Sequence, residues 1–269
     1  MSPAARPAPA RATIPLQRGV VYGPVLSRRL GRSLGLNLLP DEIKVCSLDC
    51  RYCQYGWTGL LATNPAQFSR FLPPREAVAR ELEAVLSELA AAGTPPDTLT
   101  FSGNGEATLH PDFPGIVEDA LPLRDRHAPA CRTAILSNAT QVHRPDVRAA
   151  LLRLDDPILK LDAGTQEAFL RLNGPAPGVT FAGVLEGLRA LSGRILLQAL
   201  FVTGSEDNTT DDAVRAWVEA VVSIRPRAVQ IYTLDRGPAD RALRPAPQAR
   251  LRDIARLLAE AGVRAEVFA

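Results

Sequence analysis

Apolar residues along the chain fall into short strand-like runs that alternate with longer helix-like stretches. Between residues 74 and 92, apolar side chains recur at helical spacing, and Gly93 ends the pattern. These apolar positions are Val78, Leu82, Val85, Leu86 and Leu89. Residues 98–101, by contrast, form a short run of apolar and β-branched residues, which is typical of a buried strand.

The same patterns predict strands and helices in alternation. Strands are expected at residues 43–46, 98–101, 132–136, 158–162, 195–202, 228–234 and 264–267. Helices are expected at residues 74–92, 113–127, 147–154, 179–191, 211–223 and 248–261. Such alternation implies an α/β fold in which helices cover a parallel sheet. About six βα units are fewer than the eight of a closed (β/α)8 barrel, so we predict an incomplete barrel.

Polar residues interrupt several predicted strands at positions that share one face. Side chains alternate between the two faces of a strand, so Lys160 and Asp162 lie on the same face. Gln230 and Tyr232 are related in the same way, and Gln198 stands within an apolar run. A buried polar group costs free energy unless it is paired or binds a ligand. We therefore expect these side chains to point into the barrel, where they would surround a polar ligand.

Three of the four cysteines lie in one short segment, Cys46-x3-Cys50-x2-Cys53. Thiolates are soft ligands that suit iron–sulfur clusters, zinc and copper(I). Three thiolates can bind three irons of a [4Fe–4S] cluster and leave the fourth iron free for another ligand. The alternative is a structural zinc site, which needs a fourth protein ligand such as Cys131 or His110. Because Cys131 begins a predicted strand, at the opposite end of the barrel, we expect it to be a small buried apolar residue.

Bulk composition limits the classes of partner. The 269 residues are 46% hydrophobic, and 31 basic residues nearly balance 29 acidic ones. A net charge of +2 and only 5% aromatic residues give no general case for a nucleic-acid or membrane partner. The Pro-, Ala- and Arg-rich residues 1–13 are expected to form a disordered tail, and residues 14–269 a single domain. Clustered free thiols favour a reducing compartment, so the cytoplasm is the expected location.

Four motifs follow one another along the chain. The cysteine segment has an aromatic residue, Tyr52, directly before its third cysteine, and Ser-Gly-Asn-Gly-Glu follows at residues 102–106. Ser137-Asn138 and Leu-Lys-Leu-Asp at residues 159–162 come next, each at the end of a predicted strand. In these motifs the chain resembles the radical S-adenosylmethionine (SAM) superfamily, most closely the bacterial and archaeal Fe–S oxidoreductases grouped with wyosine (tRNA) synthases. The resemblance implies a partial (β/α)6 TIM-like barrel of the radical SAM type, with a [4Fe–4S] cluster and SAM as cofactors.

The resemblance also implies roles for individual residues. Cys46, Cys50 and Cys53 would be the metal ligands, and Tyr52 would lie against the adenine of SAM. The other residues expected to contact SAM are Ser102, Gly103, Asn104, Gly105, Glu106, Ser137, Asn138, Lys160 and Asp162.

Each of these roles has a structural alternative. Tyr52 can simply pack the cysteine loop, and the glycine segment can be a tight turn after a strand. Ser137 and Asn138 are good capping residues for a turn or helix. Lys160 and Asp162 can form a buried ion pair that fixes the barrel.

The function implied by the resemblance is reductive cleavage of SAM to a 5′-deoxyadenosyl radical, which abstracts hydrogen from a substrate. The resemblance does not decide whether the substrate is a small molecule, a peptide or a protein. A flavodoxin or ferredoxin is the expected electron donor. Two alternatives are a tRNA-modifying enzyme and a non-catalytic iron–sulfur module for electron transfer or scaffolding. Wyosine synthases carry a second set of cysteines, which residues 1–45 lack, so wyosine chemistry itself is not expected.

A basic stretch, Ser27-Arg28-Arg29-Leu-Gly-Arg32, precedes the first predicted strand. Arginine forks match the geometry of carboxylate and phosphate groups, so recognition of an anion is one interpretation. The other interpretation is a solvated or structural loop, which we prefer for the stretch as a whole.

Overall fold

A computed structural model describes residues 13–268 of the chain. Its strands β1 to β12 are Val21–Ser27, Gly31–Leu36, Val45–Cys46, Leu60–Leu61, Thr98–Phe101, Arg132–Ser137, Asp156–Lys160, Leu196–Leu200, Val202–Gly204, Ala228–Tyr232, Leu243–Pro245 and Ala265–Phe268. Its helices α1 to α7 are Arg75–Ala91, Phe113–His127, Pro145–Leu151, Gln166–Asn173, Phe181–Arg189, Asp211–Ile224 and Gln248–Glu260.

The main sheet of the described chain has eight strands in the order β1-β2-β5-β6-β7-β8-β10-β12. Strand β1 pairs antiparallel with β2, and every later pair is parallel. Each of the six crossovers between successive parallel strands carries at least one helix, as parallel pairing requires. Strands β1 and β12 are the edges of this sheet and do not pair with each other. The structure is therefore a partial (β/α)6 barrel, which confirms the predicted fold class.

The outer face of the barrel is apolar and the inner face carries polar groups. In β10, Val229 and Ile231 are fully buried, whereas Gln230 and Tyr232 on the opposite face are half-buried. Helix α1 contributes Leu82 to the same core, at a position where the helical pattern predicts it. Burial of each such side chain stabilises the fold by about 1.5–3 kcal/mol. This alternation turns the polar residues of the strands toward the barrel interior, as the sequence predicts.

The prediction of the first barrel strand at residues 43–46 is wrong. Only Val45–Cys46 is extended there, and it pairs with β4 in a separate two-stranded sheet. The first parallel strand is β2, which forms a hairpin with β1. Gly31, Ser33 and Gly35 interrupt the apolar pattern of β2, so its sequence carries no strand-like run.

A helix that the sequence pattern did not indicate, α4, lies between β7 and α5. Its ends carry ordinary capping signals, because the Thr165 side chain accepts a hydrogen bond from Ala168 N and Gly174 adopts a left-handed conformation. With eight residues, the helix is too short to show clear periodicity. It is important for the site because its last residue is Asn173.

The ends of the chain set limits on two predictions. The predicted tail at residues 1–13 lies outside the described residues, apart from Thr13. Within residues 13–268, no helix is long and apolar enough to cross a membrane.

Candidate functional site

The three cysteines lie on the long connection between β2 and α1. Val45 forms a bridge with Gly105, four residues after the end of β5, so the cysteine loop lies against the carboxyl end of a barrel strand. Cys46 is buried, Cys50 and Cys53 are half-buried, and none forms a disulfide. The backbone N–H of Cys53 donates to the carbonyl oxygen of Cys50 at 3.0 Å, which closes a tight turn between the second and third cysteines. The structure thus brings the cysteine motif to the end of the barrel where functional groups gather in parallel folds.

Burial favours the neutral form of these thiols. It raises the pKa of Cys46 to about 12, with further contributions from Cys50 and Glu106. It raises the pKa of Cys50 to about 11, and the Asp162 carboxylate adds to this increase. A thiol must lose its proton to bind a metal. Two of the three cysteines are therefore held in an environment that only a strongly bound, positively charged metal group would convert to thiolates.

Side-chain amides lie against two of the sulfur atoms. The Nδ2 group of Asn138 lies 3.4 Å from Cys46 Sγ, and that of Asn173 lies 3.4 Å from Cys50 Sγ. Asn138 follows β6 and Asn173 ends α4, so the two donors come from different sides of the loop. Amide N–H groups at this distance stabilise negative charge on sulfur.

Lys44 places a buried positive charge beside the same loop. Its Nζ donates to the carbonyl oxygen of Gly56 at 2.8 Å. Burial by itself lowers the pKa of Lys44, but Cys53 and Cys46 raise it, and the result is a pKa above the ordinary value. The ammonium group therefore stays charged next to the cysteines and offsets the charge of any thiolate formed there.

The two candidates for a fourth zinc ligand are engaged elsewhere. Cys131 is buried at the amino end of β6, as predicted, and its thiol donates to the carbonyl oxygen of Arg132. The His110 ring accepts from Asp112 N through Nδ1, so its Nε2 carries the proton that is donated to the Pro73 carbonyl oxygen at 3.0 Å.

The donor set fits a cluster better than a single ion. A tetrahedral zinc ion, with Zn–S distances of about 2.3 Å, would draw its thiolates to within ~4 Å of one another. Among residues 13–268, no three His, Cys, Asp or Glu side chains are gathered in a way that could hold one metal ion. A [4Fe–4S] cluster makes no such demand, because each thiolate bonds a different iron.

Tyr52 points from the cysteine loop into a buried hydrogen-bond network. Its hydroxyl donates to Asp162 Oδ2, and Asn173 Nδ2 lies 3.1 Å from both of these oxygens. Burial raises the pKa of Tyr52 well above its usual range, and Asp162 and Cys50 raise it further. The Lys160 ammonium lies 4.6 Å from the ring centroid, a cation–π distance. The structure therefore shows Tyr52 packing the loop, and its contact with adenine stays a prediction.

Asp162 and Lys160 form the buried ion pair that was the structural alternative for these residues. Lys160 Nζ lies 3.3 Å from Asp162 Oδ1, which also accepts from the backbone N–H of Leu200 at 2.9 Å. Burial lowers the pKa of Lys160, but Asp162 and Tyr232 raise it by more, so the lysine is protonated. Strand β7 ends at Lys160, so Asp162 lies just beyond the strand rather than in it. Contact of this pair with SAM stays a prediction.

The glycine segment after β5 has a structural reason for each of its glycines. Gly103 has a φ of +148°, and a Cβ atom there would lie 2.5 Å from Asn37 Oδ1. Gly105 has a φ of +143°, and a Cβ atom there would lie 1.7 Å from the carbonyl oxygen of Val45. Both positions thus require glycine, because the β2 connection and the cysteine loop pack directly against this backbone. The structure shows the tight turn, and Gly103 and Gly105 are half-buried in it.

Polar residues of the same segment are already paired within the protein. The Asn104 side chain is fully buried, accepts from Gln17 N at 2.7 Å and donates to the carbonyl oxygens of Gln17 and Pro40. Ser102 Oγ lies 2.6 Å from the hydroxyl of Tyr22. Asn104 therefore holds two other segments, one before β1 and one after β2, in contact with the glycine turn.

Glu106 connects the ends of β5 and β6. Its buried carboxylate accepts from Ser137 Oγ at 2.9 Å, Asn138 N at 2.6 Å and Thr108 N at 3.1 Å. Burial raises the pKa of Glu106, although these donors oppose the increase. Because Asn138 in turn reaches Cys46, the carboxylate links the glycine motif to the cysteine loop. Ser137 and Asn138 act here as turn and network residues, and their contact with SAM stays a prediction.

Four polar side chains lie side by side on the inner face of β7, β8, β10 and β12. Lys160, Gln198, Gln230 and Glu266 are in register across β7, β8, β10 and β12. Gln198 Nε2 donates to Gln230 Oε1 at 3.2 Å, and Lys160 Nζ donates to the Tyr232 hydroxyl at 2.6 Å. These contacts confirm that the polar residues of the strands face one another inside the barrel.

Several residues of the site have no strong signal in the sequence. Asn173 precedes a glycine and so is typical of a helix end, which gives no hint of a cysteine contact. Tyr22 and Asn37 lie in the hairpin region, where no strand is predicted. Lys44 is conspicuous only as one of two lysines in the chain. Asn173, Tyr22 and Asn37 each act through a contact that is distant in sequence, which local pattern cannot reveal.

Comparison with known proteins places the chain in a family. Residues 43–216 match the model of the radical SAM superfamily. A protein of Helicobacter pylori strain J99 named UPF0026 protein is 30% identical over 221 residues, which cover 81% of this chain and 67% of the relative.

Solved structures share the fold at low sequence identity. A radical SAM methyltransferase from Sphaerobacter thermophilus has a TM-score of 0.63 at 12% identity, over 88% of this chain and 65% of that one. TYW1 with a lysine–pyruvate adduct bound has a TM-score of 0.56 at 15% identity, over 85% of this chain and 73% of that one. The chain thus spans about two thirds of the length of its relatives. From the family match, supported by the cysteine loop and the partial barrel, the chain belongs to the radical SAM superfamily.

Proposed function

We propose that the protein is a radical SAM enzyme whose [4Fe–4S] cluster is held by Cys46, Cys50 and Cys53. When bound, the cluster supplies the electron that cleaves SAM to methionine and a 5′-deoxyadenosyl radical, which abstracts hydrogen from a substrate. One observation carries this proposal: three free cysteines share a loop at the carboxyl end of the barrel, with amide donors against two of their sulfurs.

The residues around the cysteines would stabilise the bound thiolates. Asn138 and Asn173 donate to sulfur, and the charged Lys44 lies beside them. Hydrogen bonds to cluster ligands and nearby charge are the main means by which a protein sets a cluster's reduction potential. Exclusion of water from the barrel interior once SAM and substrate are bound would protect a reactive radical from side reactions.

SAM would contact the protein largely through backbone groups of the glycine turn. The side chains of Asn104 and Glu106 are already occupied by protein partners, whereas Gly103 and Gly105 present bare backbone. A protonated amino group of SAM can approach the carbonyl oxygens there without meeting a side chain. The charged Lys160 is the group best suited to a hydroxyl group of the cofactor's ribose.

A lysine adduct of the kind named for TYW1 is less well supported in this chain. Such an adduct needs a neutral amine as nucleophile. Lys44 and Lys160 are the only lysines; Lys44 donates to the carbonyl oxygen of Gly56, and Lys160 is held in an ion pair with Asp162. A tRNA substrate would in addition give binding that falls steeply with salt. We therefore favour a small molecule, peptide or protein as substrate, in the cytoplasm, with a flavodoxin or ferredoxin as electron donor.

The test is anaerobic SAM cleavage. The protein is reconstituted with iron and sulfide, reduced with dithionite and mixed with SAM, and 5′-deoxyadenosine is measured by mass spectrometry. We expect product from the wild type and from Cys131→Ala, since Cys131 lies at the other end of the barrel. Cys50→Ala should lose both the product and most of the bound iron and sulfide.

Two results would overturn the proposal. Zinc in place of iron in the purified protein would indicate a structural metal site. A fully loaded and reduced cluster that yields no 5′-deoxyadenosine would favour an electron-transfer or scaffold role.

A further inference from the structure

The turn between β1 and β2 reaches across the open side of the barrel. It belongs to one edge of the sheet, yet its arginines contact the opposite edge. Arg28 Nη2 lies 3.4 Å from Asp235 Oδ2, just after β10. The Arg29 guanidinium carbon lies 4.8 Å from the ring centroid of Tyr232 on β10 and 6.0 Å from that of Phe268 on β12. The basic stretch is thus a structural turn, as the preferred interpretation allows, and it connects the two edges of the sheet.

The two arginines differ in their surroundings. The side chain of Arg28 is 58% exposed and is paired with a carboxylate. In Arg29, by contrast, Nη1 is buried and has no hydrogen-bond partner among the described residues. A buried donor without an acceptor costs about 1–3 kcal/mol, and more when the group is charged. Contact with an aromatic face offsets part of this cost but provides no acceptor oxygen.

Arg29 shares its surroundings with a second cation and with carboxylates. Tyr232, against which it packs, also accepts a hydrogen bond from the charged Lys160. Asp162 neutralises the lysine. Glu266 shares the inner face of β12 but forms no ion pair with Arg29. A monoanionic carboxylate is a better match for this one guanidinium than a phosphate dianion, which the nearby Glu266 carboxylate would repel more strongly.

We propose that Arg29 binds a carboxylate group of the substrate at the open side of the barrel, beside Tyr232. This inference rests on the proposed function, because it names a substrate class for the same barrel. It does not concern the carboxylate of SAM, since the glycine turn follows β5, which is four strands from β10 in the sheet. An arginine fork with a free Nη1 is suited to a planar carboxylate.

The experiment compares anions on the reconstituted protein. Thermal unfolding is followed in sodium acetate, sodium phosphate and sodium chloride at equal ionic strength and pH 7. A ligand that binds only the folded state raises the unfolding midpoint. Acetate at about ten times its dissociation constant should raise the midpoint of the wild type by roughly 3 °C over chloride. Arg28→Gln should respond in the same way, and Arg29→Gln should show no acetate effect.

Each outcome decides the proposal. If Arg29→Gln responds to acetate as strongly as the wild type does, the proposal is wrong, and Arg29 has only a structural role in connecting the two edges of the sheet. A larger rise with phosphate than with acetate, lost in Arg29→Gln, would overturn the carboxylate assignment in favour of a phosphate group. If Arg29→Gln does not fold, Arg29→Met preserves the packing against the two rings and should also lose the response. Formation of 5′-deoxyadenosine by the same wild-type sample tests the proposed function separately, because acetate binding does not depend on SAM cleavage.

Discussion

Two sides of the barrel interior differ in how completely their charged groups are paired. The cofactor side consists of the cysteine loop and the ends of β5, β6 and β7; the open side consists of β8, β10, β12 and the β1–β2 turn. On the cofactor side, the charged residues Glu106 and Asp162 and the amide of Asn104 are buried and hydrogen-bonded to protein partners, although Asn173 Oδ1 is buried without a partner among the described residues. On the open side, Gln230 is half-buried and Arg29 keeps a donor without a partner.

This difference indicates that the cofactor side positions the cysteine loop, whereas the open side recognises a substrate. The motif residues of the cofactor side bind one another, so their side chains hold the backbone and the cysteine loop in place before any ligand arrives. Preorganisation of this kind avoids reorganisation when charge develops in a reaction. On the open side, by contrast, a charged guanidinium keeps an unpaired donor, which suits a part of the site that recognises a substrate.

The largest effect on stability is expected for Glu106→Ala. Removal of this carboxylate would leave buried donors of Thr108, Ser137 and Asn138 without an acceptor. We expect a loss of about 3–5 kcal/mol in the free energy of unfolding. Gln230→Ala, the control on the open side, removes one hydrogen bond from Gln198 and should cost about 1 kcal/mol. Urea unfolding of both variants measures the difference, and equal losses would show that the two sides are equally well packed.

Local pattern was enough to predict much of the fold. The helices at 113–127 and 248–261 and the strand at 98–101 agree with α2, α7 and β5 to within one residue. In these segments the apolar period directly reflects the face that is buried. Strand β2 could not be predicted, because small and polar residues occupy positions where tertiary packing, not local preference, selects an extended chain.

The sequence was enough to predict the cysteine ligands of the candidate site, but not the hydrogen bonds that surround them. The spacing of Cys46, Cys50 and Cys53 indicates a cluster because thiolate chemistry is local to the motif. The contacts of Asn173 with Cys50 and of Asn104 with Gln17 span 123 and 87 residues. Such partners depend on the three-dimensional path of the chain, so no periodicity or motif could identify them.

A smaller effect is expected for Gly103→Ala in the glycine turn. The new Cβ atom would lie 2.5 Å from Asn37 Oδ1, and the φ of +148° is unfavourable for alanine. We expect a loss of about 2–3 kcal/mol in the free energy of unfolding. Gly93→Ala is the matched control, because its φ is +65° and no atom lies within 4 Å of the new Cβ; it should cost about 1 kcal/mol. Similar losses in both variants would mean that the close approach of Asn37 is unimportant.

The smallest effect concerns the cysteine environment and is a shift in potential rather than in stability. Asn173→Ala removes the N–H group 3.4 Å from Cys50 Sγ, a donor that favours the more negatively charged, reduced cluster. A hydrogen bond worth ~1 kcal/mol corresponds to a decrease of about 40 mV in the midpoint potential of a one-electron couple. The measurement is a redox titration of the reconstituted protein monitored by electron paramagnetic resonance. Tyr52→Phe is the matched control, because it breaks the same buried network at Asp162 but leaves the amide beside the sulfur. If both variants lower the potential equally, the network as a whole sets the cluster environment, and Asn173 has no distinct role at the sulfur.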